Sequence, residues 1–122
     1  MLMNLAMFAE AAAKTQKDRI VFRQEGRSLT GHALNSSADF IAGNLQAAGI
    51  EPGDRVALCL PNSLEFATCY FGIAKAGAVI VPVNTMLRAA ELAHILTDCA
   101  ARAVIFDASS EFANDICVAA QN

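Results

Sequence analysis

The chain has 122 residues, 55% of them apolar, with nine Lys and Arg against twelve Asp and Glu and a formal net charge of −3. That length is one domain on ordinary scaling, able to bury roughly two-thirds of its unfolded surface. The basic residues are scattered, with no arginine cluster and no interleaved aromatics, which excludes nucleic acid as an expected partner.

Met1 to Thr15 has helical composition, with Leu2, Leu5, Phe8 and Ala9 sharing a face. Met1 to Ala13 lacks a basic leader and is interrupted by Glu10, so it does not read as a signal peptide, and the cytoplasm is the expected location. Ile20 to Arg23 is a short strand, and Gln24-Glu25-Gly26-Arg27 turns the chain back into Ser28-Leu29-Thr30, giving a β-hairpin. A helix is expected from Gly31 to Ala48, because Leu34, Ala38, Ile41, Ala42, Leu45 and Ala48 form an apolar stripe, with Asn35, Asp39, Asn44 and Gln46 on the wet face.

Gly49 to Asn84 is the densest stretch. Gly49, Pro52 and Gly53 are a turn cluster. Val56 to Leu60 is an apolar run stopped by Pro61, long enough for a buried strand and too short for a helix. Asn62 is expected to cap the helix that follows, with Glu65 three residues on as the other half of a capping box. That helix, Ser63 to Ala76, is apolar on several faces, so one side is expected to meet the sheet and another to need a partner, either a second copy or a downstream subdomain. Gly77 ends it and Ala78 to Val83 is a second strand, completing a βαβ unit. Asn84-Thr85 then turns into a helix from Arg88 to Asp98, with Leu92, Ile95, Leu96 and Cys99 at helical spacing. Ala103 to Phe106 is a third strand closed by Asp107, and a last helix runs from Ser109 towards Asn122. No uninterrupted apolar run approaches the ~20 residues that a membrane-spanning helix needs.

The succession PGDRVAL, LPNSLEF and FGIAKAGAVIVPVN resembles the amino-terminal region of the acyl-CoA synthetases, within the acyl-adenylate-forming (AMP-binding) ligases. The likeness extends outward to Arg27-Ser28-Leu29-Thr30 and to Glu91 through Leu96, and covers about Asn4 to Asp107. It implies an α/β fold over residues 1–122, a largely parallel sheet flanked by helices with a leading β-hairpin, as one domain or subdomain of a longer protein. It also implies a Thr capping the helix at Gly31. Gly31 and Ala33 depart from the family pattern, which has an aromatic and an acid there. The activity implied for a full-length member is fatty- or aromatic-acyl-CoA synthesis. A carboxylate attacks ATP to give an acyl-adenylate and pyrophosphate, and coenzyme A then forms the thioester, with Mg²⁺ assisting. Members are several times longer, and their catalytic motifs lie downstream.

No catalytic, cofactor-binding or metal residue is assigned within these 122 residues, and none of ATP, Mg²⁺ or coenzyme A is expected to bind this chain alone. Gly72 and Gly77 are not followed by Gly-Lys-Ser/Thr, and Lys75 falls inside a helix, so they read as a close-packing residue and a helix stop. His32 and His94 have no local nucleophile signature, and His94 is expected to be half-exposed. Asp54-Arg55 reads as a surface or turn contact. Cys59, Cys69, Cys99 and Cys117 lack metal-knuckle spacing and read as free, buried thiols of a reduced compartment. Two alternatives remain open: a stand-alone interaction module with this fold, or a small flavodoxin-like nucleotide-binding protein.

Overall fold

The structure is a computed structural model; it describes residues 6–109 and 113–120, and the expected apolar positions Leu2 and Leu5 lie outside them. A helix, α1 (Ala6–Thr15), leads into strands β1 (Ile20–Gln24) and β2 (Arg27–Thr30), which form the expected antiparallel hairpin. Its two-residue turn has φ of 44° at Glu25 and 80° at Gly26, the pair of positive angles that matches the twist of a hairpin. Then come α2 (Gly31–Ala47), β3 (Arg55–Cys59), α3 (Leu64–Lys75), β4 (Val79–Pro82), α4 (Ala89–Asp98), β5 (Ala101–Phe106) and α5 (Ala113–Ala120).

The last three strands make a parallel sheet in the order β4-β3-β5. The central strand alternates: Val56 and Leu58 face α2 and α3, while Ala57 and Cys59 face α4 and α5. Three of these four are fully buried, as a parallel strand covered on both faces requires. Asp54 is a turn residue, as expected: its carboxylate accepts from the Glu51 N–H at 2.8 Å, while Arg55 is exposed.

The helix α3 is the middle of a stack. Cys69, Ile73 and Ala76 lie on the sheet side. Phe71 is on the other side, in a cluster with Ala9, Leu34 and Ala38 of α1 and α2, and its ring stacks on Phe8 with centroids 5.4 Å apart. One face expected to need a partner is thus covered from within the chain, while Phe66, Ala67 and Tyr70 remain only half-buried. Gly72 allows that closeness, since a Cβ there would lie 2.6 Å from the Ile41 side chain.

Gly31 is also explained by packing. A Cβ on it would collide with the Ala12 carbonyl oxygen and lie 2.5 Å from that of Gln16, so the end of α1 rests directly on the start of α2. The Gly31 and His32 N–H groups donate to the carbonyls of Arg19 and Lys17, tying down the α1–β1 link. The departure from the family pattern at this position is therefore a seat for α1. Thr30 caps α2 as expected, its hydroxyl accepting from the Ala33 N–H at 3.1 Å. Asn35, expected on the wet face, is instead half-buried, and its Oδ1 has no hydrogen-bond partner.

Candidate functional site

In an open α/β sheet, ligands bind beyond the carboxyl ends of the strands, where successive connections leave in opposite directions. Here that point lies between β3 and β5. The connection through α3 leads from β3 to one side of it, and the connection through α4 crosses to the other. A cleft of about 680 Å³ opens there, lined by Leu60, Pro61 and Ser63 after β3, by Ile105 to Asp107 at the end of β5, and by the hairpin residues Gln24 and Arg27.

The start of α3 faces this cleft, and a helix amino terminus offers N–H donors to an anion. Two of those donors are already engaged by side chains of the protein. The Leu64 N–H donates to Oε1 of Gln24 at 3.2 Å, reaching across from the hairpin. The Phe66 N–H donates to the Ser63 hydroxyl at 3.1 Å, and the Ala67 N–H to the Ser63 carbonyl at 3.2 Å. Ser63 is thus the cap, and the expected capping by Asn62 is corrected. An N-cap must sit one residue before the first helical residue, and that residue is Leu64. Asn62 is exposed and contributes its backbone carbonyl to Gln24 Nε2 at 3.5 Å.

Glu65, expected to reach back to the cap, pairs instead with Arg27 of β2, at 2.6 and 2.7 Å through two nitrogen–oxygen contacts. The Arg27 guanidinium, by hydrogen bond and by charge, holds the Glu65 carboxyl down to about 2. At the opposite rim Asp107 accepts from the Ser109 N–H and hydroxyl at 2.9 and 2.7 Å, and these bonds lower its pKa. Arg27 and Glu65 therefore neutralise each other, and Asp107 closes a turn. A phosphate at the α3 amides would have to displace Gln24 and would meet the Glu65 carboxylate, an arrangement that does not fit the nucleotide of a flavodoxin-like protein.

The remaining candidates are not gathered into a site. His94 is exposed, not half-exposed as expected, because its position turns off the Leu92/Leu96 stripe; it lies 3.2 Å from Asp98 one helical turn on. His32 is exposed at the start of α2. Cys59 and Cys69 are buried, and burial raises both thiols. Cys99 is only half-buried and Cys117 is exposed on the outer side of α5, which corrects the expectation of four buried thiols. Among the described residues no three His, Cys, Asp or Glu side chains gather as a metal site would require. Sequence reasoning missed the role of Lys75. Its side chain is only 8% exposed, and its Nζ lies 2.8 Å from Asp39 and 3.6 Å from Glu10, joining α3 to α2 and α1. The signal was an isolated lysine amid the apolar second half of this helix.

The fold and cleft define a class: an open, doubly wound α/β layer whose ligand edge is closed by its own hairpin. The family model described as AMP-binding enzyme matches residues 8–121. The chain belongs to the AMP-binding enzyme family. Over 82 residues it is 48% identical to the long-chain-fatty-acid–CoA ligase FadD13 of Mycobacterium tuberculosis, a match covering 67% of this chain and 16% of that one. Among solved structures, a benzoate CoA ligase from Burkholderia xenovorans LB400 superposes with a TM-score of 0.89 at 26% identity, covering 99% of this chain and 24% of the other. The N-terminal domain of FACL13 from Mycobacterium tuberculosis gives 0.85 at 36% identity, with 93% and 29% covered. The chain spans about one-sixth of the length of the curated relatives it matches. Among the described residues no helix is long and apolar enough to cross a membrane.

Proposed function

We propose that these residues are the amino-terminal scaffold of an ATP-dependent acid–thiol ligase, a fatty- or aromatic-acyl-CoA synthetase, and are inert when alone. The family match and the named activities of the relatives support the ligase reading. The single observation that carries the scaffold reading is the start of α3, where Gln24 takes the Leu64 amide, Ser63 takes the Phe66 amide and Glu65 pairs with Arg27 beside them. In the complete enzyme the reaction joins a carboxylate to the α-phosphorus of ATP with loss of pyrophosphate, and the coenzyme A thiol then displaces AMP. The groups that bind ATP and Mg²⁺ and stabilise developing charge belong, on this reading, to polypeptide downstream of these residues. The cytoplasm is the compartment we assign, consistent with four free cysteines.

The test is a chimera in which residues 8–121 replace the matching segment of FadD13. The isolated 122-residue chain should release no pyrophosphate in response to a carboxylic acid, and the chimera should. Acid-dependent pyrophosphate release by the isolated chain would overturn the scaffold reading. A folded chimera without adenylation would overturn the ligase reading.

A further inference from the structure

We propose that Asn62 is the site of a slow self-modification, in which the Ser63 backbone amide attacks the Asn62 side chain and leaves an aspartyl or isoaspartyl residue at the cleft edge. The inference does not depend on the ligase reading.

The reaction takes water and no other co-reactant. The Ser63 nitrogen bonds to Cγ of Asn62, the bond from Cγ to the side-chain nitrogen breaks, and ammonia leaves with the proton from the Ser63 N–H. Water then opens the cyclic imide. Addition at Cγ gives aspartate. Addition at the main-chain carbonyl carbon gives isoaspartate, whose backbone runs through the side chain and is one methylene longer.

Attack needs a side chain that is free to turn and an N–H that is uncommitted and uncrowded. Asn35 and Asn62 are both followed by serine, so their immediate neighbours do not distinguish them. The fold does. Asn35 is half-buried inside α2, where the following N–H is committed to a carbonyl one turn back. Asn62 is exposed in the link between β3 and α3, and its side chain has no hydrogen-bond partner among the described residues. The Ser63 N–H has none either, because it precedes the first helical residue, while its hydroxyl is held by the Pro61 carbonyl and the Phe66 N–H. Asn44 and Asn114 have helical backbone. Asn84 is tied down by the Met86 N–H, which donates to its Oδ1 at 2.8 Å, and the β-branched Thr85 crowds the amide beside it.

Either product adds a negative charge beside the amino terminus of α3, an end that favours one. In the isoaspartyl form the new carboxylate is the former main-chain carbonyl of residue 62, which already accepts from Gln24 Nε2 at 3.5 Å. The cleft edge, where Arg27 balances Glu65, thereby gains an unbalanced charge.

The test incubates the 122-residue chain, folded and unfolded in urea, in mildly alkaline buffer. Peptide mapping follows the mass change of NH exchanged for oxygen, and an isoaspartate-specific carboxyl methyltransferase identifies the product. In the folded chain Asn62 should convert at least tenfold faster than Asn35, and in urea the two should convert alike. Isoaspartate should be among the products. Ser63→Thr keeps a capping hydroxyl but crowds the attacking nitrogen, so conversion should slow severalfold in the folded variant. Equal rates at Asn35 and Asn62 in the folded chain would overturn the proposal. So would an unreactive Asn62 in a folded chain whose unfolded form converts. Aspartate without isoaspartate would indicate direct hydrolysis and overturn the attack by Ser63, as would an unchanged rate in Ser63→Thr.

Discussion

The two faces of the sheet are built to different depths. On one, α3 is buried between the sheet and a second layer of α1 and α2, and its apolar side chains run round most of the helix. On the other, α4 and α5 form a single layer, and α4 buries only Leu92 and Leu96 along one stripe, with His94 and Asp98 in solvent. The breadth of a helix's apolar surface therefore reports how many layers cover it. An all-round apolar helix in a small α/β chain is a middle layer first and an interface second.

Five substitutions test that contrast. The largest effect is expected at the middle layer. Phe71→Asp puts a carboxylate into the α1–α2–α3 cluster at a cost of several kcal/mol, comparable to a whole domain's stability. Circular dichroism should show an unfolded chain, while Ala90→Asp, exposed on α4, should stay within about 0.5 kcal/mol. Equal effects of the two would remove the distinction between the layers.

Next in size is Gly31→Val. A side chain there meets the backbone carbonyls of Ala12 and Gln16, so α1 must shift, at roughly 1–3 kcal/mol. The thermal midpoint should fall and amide exchange in α1 should speed up selectively. An unchanged midpoint would mean that α1 is not held where the packing places it.

Lys75→Met should cost less, about 1 kcal/mol. Removing one partner of a buried pair usually costs about 3–5 kcal/mol, but here Asp39 and Glu10 are mostly exposed and turn to water once the lysine is gone. A loss beyond about 3 kcal/mol in urea titration would show that the carboxylates are trapped.

The smallest change is Glu65→Gln, at the hairpin–α3 contact. Because the pair is more than half exposed, its worth is at most about 1 kcal/mol and is screened by salt. Its pH dependence is the sharper readout. The folded carboxyl titrates below its unfolded value, so its contribution is present above about pH 4.5 and is lost as pH falls towards about 2. The variant should flatten the stability profile in that window, and a profile identical to wild type would remove Arg27 as the cause.

Much of this architecture was legible because punctuation and periodicity are local. The hairpin turn at Glu25-Gly26, the stop at Gly77 and the alternation of β3 follow from residue chemistry within a few positions. What was not legible depends on distance along the chain. Glu65 had a local partner in prospect and took Arg27, 38 residues away. Gln24 reaches the α3 amide across 40 residues, and no spacing rule announces that. The cap at Ser63 rather than Asn62 was a one-residue ambiguity between two good capping residues, settled by where the helix begins. At the cleft, Pro61 marks the end of β3 in the sequence itself, but the closure of that edge comes from the hairpin, and only the folded chain brings it there.

The contact at Gly31 makes one stretch of backbone the mould of another: the carbonyls of Ala12 and Gln16 fill the place a side chain would take, so this position directs the approach of two helices by what it lacks.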